Sequence, residues 1–457
     1  MNEIKGNDIA IIGFGAEGRS TLSFLRKNFP NAKITIRDAK YKDMTGVDNN
    51  ESIFGDSYLE NLKQHSTIIR TPQLPFDHPK LIGYKSQGGH ITTATNIFFS
   101  QVKGKTIGIT GTKGKSTTTA LTYHILRNNL PNVLMGGNIG IPMLNLLEND
   151  KADNIYVLEL SSYQLEDIRY NPQIALILEI TPEHLDHHGT FEKYAKAKAQ
   201  ITAYQSENDI LLINPDFKEP QKIATSSKAR ILYICDQENP KAQVYISNNQ
   251  IFISKQINQH TPVINLTQLP LIGKGNQENT LSATAIAALF DISPSKIASA
   301  IMSFTSLPHR LEFVATINNI TFYNDSIATT PEATINAIEA FEGKVKTLIA
   351  GGFDRGLNYQ KLAKKILEFK VENLILYPDT GPIIASEIEK LNSSNKPQII
   401  HIENMQQAVN QAFNITPPGS ICILSPASAS YNLFKNYEER GELFKKQITK
   451  FYTKIAQ

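Results

Sequence analysis

Gly108-Ile109-Thr110-Gly111-Thr112-Lys113-Gly114-Lys115-Ser116-Thr117-Thr118-Thr119 is the stretch on which the reading of this chain turns. A short apolar run, Thr106 to Ile109, precedes the loop, and a helical pattern follows it from about Ser116 to Arg127. Strand, small flexible loop and helix together make a cradle for phosphate. Gly111 and Gly114 let the backbone turn its N–H groups inward, and the first helical turn adds its positive end. Lys115 can reach terminal phosphates and the Ser116 hydroxyl can hold Mg2+. Thr112, Lys113 and Thr117 complete the candidate nucleotide-binding loop. The common pattern has Gly where this chain has Ile109, so the match is to a variant. A Gly/Thr-rich turn without a ligand is the bland alternative; Gly-Lys-Ser at a strand-to-helix junction argues against it.

Working outward, a chain of 457 residues is too long for one core and predicts two or three domains. With 41% hydrophobic and 19% charged residues it has the make-up of an ordinary globular protein. A net charge of +3 gives no reason to expect nucleic acid or an anionic membrane as partner. Cys235 and Cys422, far apart and each on an apolar run, read as reduced core residues of a reducing compartment. The polar start leads straight into a strand, so no signal peptide is expected, and no apolar run approaches the ~20 residues of a membrane span.

Upstream of the loop, a strand Asp8 to Ile12 runs into Gly13-Phe14-Gly15-Ala16-Glu17-Gly18 and a helix to about Asn28, then a strand Lys33 to Arg37 ending at Asp38. This is the dinucleotide-binding pattern, which brings backbone against a diphosphate with Asp38 near ribose or base. A nicotinamide site and another nucleotide-diphosphate site both remain open on that pattern. A strand Thr67 to Arg70 ends at Thr71-Pro72, and His90 to Ser100 carries a strand into a short helix. A charged link at Lys103-Gly104-Lys105 marks the first domain boundary.

Downstream, strands and helices alternate. Val133 to Met135 leads into a Gly-rich loop holding Asn138, and Ile155 to Leu160 is an apolar strand interrupted by Glu159. A buried strand accepts a carboxylate only for a reason. A cation at the carboxyl edge of the sheet is that reason, which makes Glu159 a candidate Mg2+ ligand. After the strand Ile174 to Ile180 come Glu183-His184-Leu185-Asp186-His187-His188, dense in acids and histidines but without clean zinc spacing. His184 is the favoured site residue of the three histidines. A helix from Thr190 to about Tyr204 carries Lys193, Lys196 and Lys198, which pattern alone does not separate. Val244 to Ile253 and Val263 to Leu266 read as a β-rich appendix. Asn276 and Asn279 lie one turn apart before an Ala-rich helix, Leu281 to Phe290, placed either to cap it or to meet a base. Leu307-Pro308-His309-Arg310 reads as a hinge. Beyond it, polar loops at Asp325, at Gly351-Gly352 and at Ser425 to Tyr431 follow strands, where open α/β sheets bind ligands.

These pieces together resemble the Mur ligases, the ATP-dependent amide-forming enzymes of cytoplasmic peptidoglycan synthesis. The likeness rests on Thr110 to Ser116, Glu159-Leu-Ser-Ser-Tyr-Gln-Leu165, the His184 loop, Asn276 with Asn279, Leu307 to Arg310, Asn324-Asp325-Ser326 and Leu424 to Ser430, and spans essentially the whole chain. The short first domain and the Phe434 to Gly441 ending look most like the glutamate-adding members. The resemblance implies an α/β chain of three domains: a Rossmann-like domain at 1–102 for a UDP-linked substrate, a central ATP-binding P-loop domain at 103–307, and a C-terminal Rossmann-like domain at 308–457 for glutamate. It places Gly15, Asp38, Thr71, Asn138 and Ser162 on UDP-N-acetylmuramoyl-L-alanine. ATP would meet the loop Gly111 to Thr117 with Asn276, Asn279, Arg310 and Asp325. Two Mg2+ ions would be held by Ser116, Glu159, His184 and Lys198, the last as a carbamate. Thr329, Arg355, Ser430 and Tyr437 would face glutamate. Lys115, Glu159, His184 and Lys198 would carry the chemistry of a cytoplasmic, monomeric enzyme with small-molecule substrates only.

The chain also departs from the family. Ile327 stands where a lysine is usual, Arg355 replaces another lysine, Ala39 follows Asp38 in place of Thr, and Gln73 replaces Gly. The changed amino-acid pocket leaves D- and L-glutamate both open, with D-glutamate favoured by the wider family. A folylpolyglutamate-type ligase would lack the Asp8 to Asp38 pattern. A non-catalytic nucleotide-binding regulator would have no use for two metal sites, and an oxidoreductase would rest on Gly13 to Gly18 alone.

Overall fold

The structure, a computed structural model, describes residues 2–41, 52–239, 241–256 and 259–455. It divides into two compact units, 1–268 with 278–302, and 269–277 with 303–457.

The first unit holds two sheets. In the N-terminal one, all parallel, the order is Ser52–Phe54, Lys33–Asp38, Asp8–Ile12, Thr67–Arg70, His90–Thr92. Its central strands, Asp8–Ile12 and Thr67–Arg70, are buried almost throughout, as in parallel sheets covered on both faces. Phe98, on the helix Ala94–Phe99, packs edge-on against Tyr156 of the next sheet at 5.6 Å, so the segment 103–105 lies beside a shared core.

The second sheet has nine strands. Lys105–Thr110 lies between Ile155–Glu159 and Ile174–Ile177, with Val133–Gly137 outside the former. The chain thus passes from one side of Lys105–Thr110 to the other, and its loops part at that strand's carboxyl end, the crevice where α/β sheets take ligands. On the other flank come Ile210–Ile213, Arg230–Cys235, Val244–Ser247, Gln250–Gln256 and Gln259–Asn265. The expected β-rich appendix is therefore no separate piece. Val244–Ser247 adds to Arg230–Cys235 in parallel and the last two strands turn back antiparallel. Within the run Val244 to Ile253, Asn248 and Asn249, both left-handed with φ of 46° and 61°, make a hairpin turn between two strands.

The second unit has a six-stranded sheet, Glu312–Ile317, Ile320–Asn324, Ile421–Leu424, Val345–Gly352, Asn373–Asp379, Gln398–His401. Only the first pair is antiparallel. The edge strand Glu312–Ile317 was not expected from the sequence. It turns at Asn318 and Asn319, again both left-handed. Cys235 and Cys422 are buried and unbridged, as expected. Among the described residues no helix is long and apolar enough to cross a membrane.

Candidate active site

The loop Gly111 to Ser116 leaves the carboxyl end of its strand and enters the helix Lys115–Arg127. Gly111 (φ 149°) and Gly114 (φ 81°) hold backbone angles that a side chain would strain. At Gly114 a Cβ would also lie 2.4 Å from Asn279 Oδ1. That oxygen accepts a hydrogen bond from Thr118 Oγ1 at 3.0 Å. Asn279 is not a helix cap. The helix begins at Lys274, and Asn279 sits buried in its second turn against the phosphate loop. Asn276, in the first turn, donates from Nδ2 to Ile272 O at 2.8 Å.

Thr112 braces the loop. Its N–H donates to Glu179 O at 2.7 Å, and its hydroxyl meets Thr181 O, Thr181 N–H and the Tyr194 hydroxyl. Lys113 is exposed, Ser116 half-buried and Thr117 buried. Lys115 folds back, donating from Nζ to Gly111 O at 2.9 Å and Thr112 O at 2.8 Å.

Lys198 separates from Lys193 and Lys196 by burial: it is 1% exposed while they are open to solvent. The helix Phe191–Ala199 is shorter than expected, and a 3-10 turn, Gln200–Thr202, completes the segment. Lys198 Nζ donates to Gly111 O at 2.7 Å. Burial, and after it the charge of Lys115, hold its amine well below the usual lysine range. Both amines rest on the Gly111 carbonyl, and the Lys115 charge is part of what keeps Lys198 from charging.

Glu159, paired in register with Ile109, is 1% exposed. Asn138 Nδ2 donates to its Oε1 at 2.7 Å, while Oε2 is buried with no hydrogen-bond partner among the described residues. An orphaned carboxylate oxygen next to a phosphate loop fits a cation. His184, left-handed at φ 55°, opens the short helix Leu185–His188. Burial, with Lys115 and Lys198 nearby, pushes its imidazole toward the neutral form a metal needs. Ser162 begins a helix under a Ser161/Gln164 capping box.

Around the N-terminal sheet, Gly15 is exposed and caps the helix Ala16–Asn28. Asp38 Oδ2 accepts from Phe14 N–H at 2.8 Å, so the acid closes the glycine loop. At Gly13 a Cβ would lie 2.0 Å from Thr71 Oγ1.

In the second unit, Asp325 is buried. Its Oδ2 accepts from Ser425 Oγ at 2.8 Å and its Oδ1 from Leu311 N–H at 3.1 Å. Burial pushes its carboxyl up to about 7. Arg310, half-buried, donates its N–H to Leu307 O at 3.1 Å. Arg355 reaches the Thr329 carbonyl through Nη2. Ser430 is buried, and Tyr437 opens the helix Tyr437–Ile455 with its carbonyl accepting from Ser326 Oγ at 2.8 Å.

The profile of the Mur ligase middle domain matches residues 109–287, and that of the Mur ligase glutamate ligase domain matches 309–428. The UDP-N-acetylmuramoylalanine–D-glutamate ligase of Clostridium tetani is 36% identical, over 98% of each chain. The chain belongs to the Mur ligase family. The corresponding ligase of Acetivibrio thermocellus is 33% identical, over 98% of this chain and 97% of that one. Solved Mur ligases share the fold at lower identity. The Thermotoga maritima MurF ligase in complex with ADP gives a TM-score of 0.59 at 17% identity, covering 98% of this chain and 96% of that one. The UDP-N-acetylmuramate-alanine ligase MurC of the same organism gives 0.58 at 15%, covering 98% and 99%. This Mur ligase is thus an amide-forming enzyme of α/β construction.

Two features of this Mur ligase escaped sequence reading. Arg440, in a charged helix start, is fully buried. It donates to Ser326 Oγ, Ser326 O, Ser428 O and Ala429 O. Glu166, His187 and His188 form a cluster of their own. Charged residues at a helix start look solvated in sequence; the density of acids and histidines drew attention to His187 and His188, but nothing local marked Glu166 as their partner.

Proposed function

We propose that this Mur ligase joins D-glutamate to UDP-N-acetylmuramoyl-L-alanine at the expense of ATP, in the cytoplasm and as a monomer. Three domains, 1–102, 103–307 and 308–457, would carry the UDP substrate, ATP and glutamate in turn. The observation that carries the reading is the group around the phosphate loop: Lys115 and Lys198 both on Gly111 O, with the unpartnered Glu159 Oε2 at the end of the neighbouring strand.

ATP is a substrate. Its phosphates suit the inward N–H groups after Gly111 and the Lys115 ammonium, which would leave the loop carbonyls for them. Asn276 and Asn279 would meet the base and ribose, and the family resemblance assigns Arg310 and Asp325 to ATP as well. Ser116, Glu159, His184 and Lys198 would hold Mg2+, two ions in the full reading. The metal would offset charge on the transferring oxygens. A neutral Lys198 amine is the form that adds CO2: nitrogen bonds to carbon, a proton is released, and the product is an anionic carbamate. Its remaining N–H can keep the bond to Gly111 O.

The alanyl carboxylate attacks the γ-phosphorus, ADP leaves, and an acyl phosphate results. The glutamate amine, after losing a proton, attacks the acyl carbon, and phosphate leaves with the C–O bond electrons. Lys115 would stabilise charge gathering on the γ-phosphoryl oxygens. Gly15, Asp38, Thr71, Asn138 and Ser162 would orient the UDP substrate; Thr329, Arg355, Ser430 and Tyr437 would orient glutamate. Arg355 offers a planar fork to a carboxylate.

The test is phosphate release with UDP-N-acetylmuramoyl-L-alanine, ATP and Mg2+, supplying D-glutamate, L-glutamate or another amino acid. Turnover with D-glutamate well above the rest is expected. A preference for L-glutamate would overturn the isomer, and turnover only with a diamino or neutral amino acid would overturn glutamate itself.

A further inference from the structure

Behind the phosphate loop, three metal-ligating side chains meet that the proposed reaction does not use. Glu166 Oε1 lies 2.7 Å from His187 Nε2 and 3.2 Å from His188 Nδ1. One donor atom from each of the three lies within 4.8 Å of the others. Glu166 Oε2 is buried without a hydrogen-bond partner, its nearest cation being Arg70 Nη1 at 4.0 Å. Arg70 is itself committed, with Nη2 on Asp167 at 2.8 Å. The cluster lines a cavity of about 220 Å³ that also reaches Phe76 and Asp77. The Tyr163 ring lies 4.3 Å from His187 and 5.2 Å from His184, centroid to centroid, so it touches both this cluster and the histidine assigned to Mg2+.

We propose that Glu166, His187 and His188 form a binding site for a borderline divalent cation, Zn2+ first, with its open position toward the cavity. Two imidazoles and one carboxylate are a donor set that suits zinc, whereas Mg2+ prefers oxygen alone. Three protein ligands with room for water make the open form of such a site. His188 is held neutral by burial and its histidine neighbours, the form that ligates. Its other nitrogen, Nε2, lies 3.0 Å from Ser162 Oγ. A cation on Nδ1 would fix the proton on Nε2, so His188 would donate to Ser162 and set its hydroxyl. Lys193 and Lys196 at the cavity rim are exposed, and solvent screens them.

The full chain, stripped with a chelator and held in excess Mg2+ to fill oxygen-rich sites, is titrated with Zn2+ against a chromophoric chelator. Co2+ absorption is read in parallel. We expect one equivalent of Zn2+ and Co2+ bands of an imidazole-ligated ion. His187→Ala should weaken uptake by about 100-fold or more, beyond what loss of an outer partner does. Glu166→Gln, which keeps the side-chain shape, should weaken it in the same direction, with circular dichroism confirming both variants folded. No uptake above the Mg2+ background would overturn the site. Equal uptake by wild type and both variants, or uptake abolished by His184→Ala and untouched by His187→Ala, would overturn it too.

Discussion

The phosphate loop of the first unit and the polar loops of the second handle positive charge in opposite ways. Around Gly111, short neutral side chains shape the turn: Thr112 on Thr181 and Tyr194, Thr118 on Asn279. Its two amines, Lys115 and Lys198, rest on the Gly111 carbonyl. In the second unit, the loops after Asn324 and Leu424 are held by a buried guanidinium. Arg440 has donors on Ser326, Ser428 and Ala429, and burial lowers it to about 10. The first arrangement holds the Lys115 ammonium on loop carbonyls, from which it would turn to an incoming anion in the proposed reaction, and keeps the buried Lys198 amine from charging. The second uses its cation to fix backbone, so in the proposed function ligand recognition there would fall to neighbours such as Arg355. A cation's role follows from what it is bonded to, and its residue type does not reveal it.

The sharpest way to break this contrast is Lys115→Ala. Removing the amine proposed to meet phosphate should lower turnover by about 10²–10³-fold or more, with an unchanged melting curve. Phosphate release and circular dichroism check both halves; near-normal turnover would strip Lys115 of its role.

Lys198→Ala tests the second amine. We expect turnover to fall by about 10²-fold, on the scale of losing a stabiliser of transition-state charge. Added short-chain carboxylic acids should restore part of it by standing in for carbamate oxygens. A fully active variant would remove Lys198 from the site.

Arg440→Met asks the reverse question. It leaves carbonyls of Ser326 and Ser428 buried without their donor, at about 1–3 kcal/mol for each unsatisfied group. The expected signature is a lower melting temperature together with a raised KM for glutamate and a KM for ATP that stays put. A stable variant with normal glutamate KM would show that the loops hold without it.

Asp325→Asn gives the smallest effect and sharpens the electrostatics. The Asp325 carboxyl is raised by burial from 3.8 to about 7, so the folded state holds a proton that the unfolded chain has released. Stability from this group is full below pH ~4 and falls as pH rises through about 7. The Asn variant should flatten that fall, seen as a smaller drop in melting temperature from pH 5 to pH 8. An unchanged pH profile would mean that the Asp325 carboxyl does not titrate there.

Much of this was readable from the sequence. The strand–loop–helix around Gly111 and the glycine turn after Ile12 are local patterns of backbone geometry, so they stood in the expected places. So did the strand interrupted by Glu159, because a carboxylate in an apolar run is already anomalous in one dimension. Family membership followed from motifs of this kind. Only the tertiary structure separated Lys198 from Lys193 and Lys196, since one helix presents all three and burial by other elements decides which is inside. The same holds for Asn279, a cap or a base contact in sequence and a phosphate-loop contact in space, and for the strand Glu312–Ile317, whose pairing with Ile320–Asn324 shows only once the sheet is built. Arg440 and the Glu166–His187–His188 cluster belong there too. Their partners lie up to 114 residues away for Arg440 and 21 to 22 for the cluster, and burial and long-range contact are not properties of any single stretch of chain.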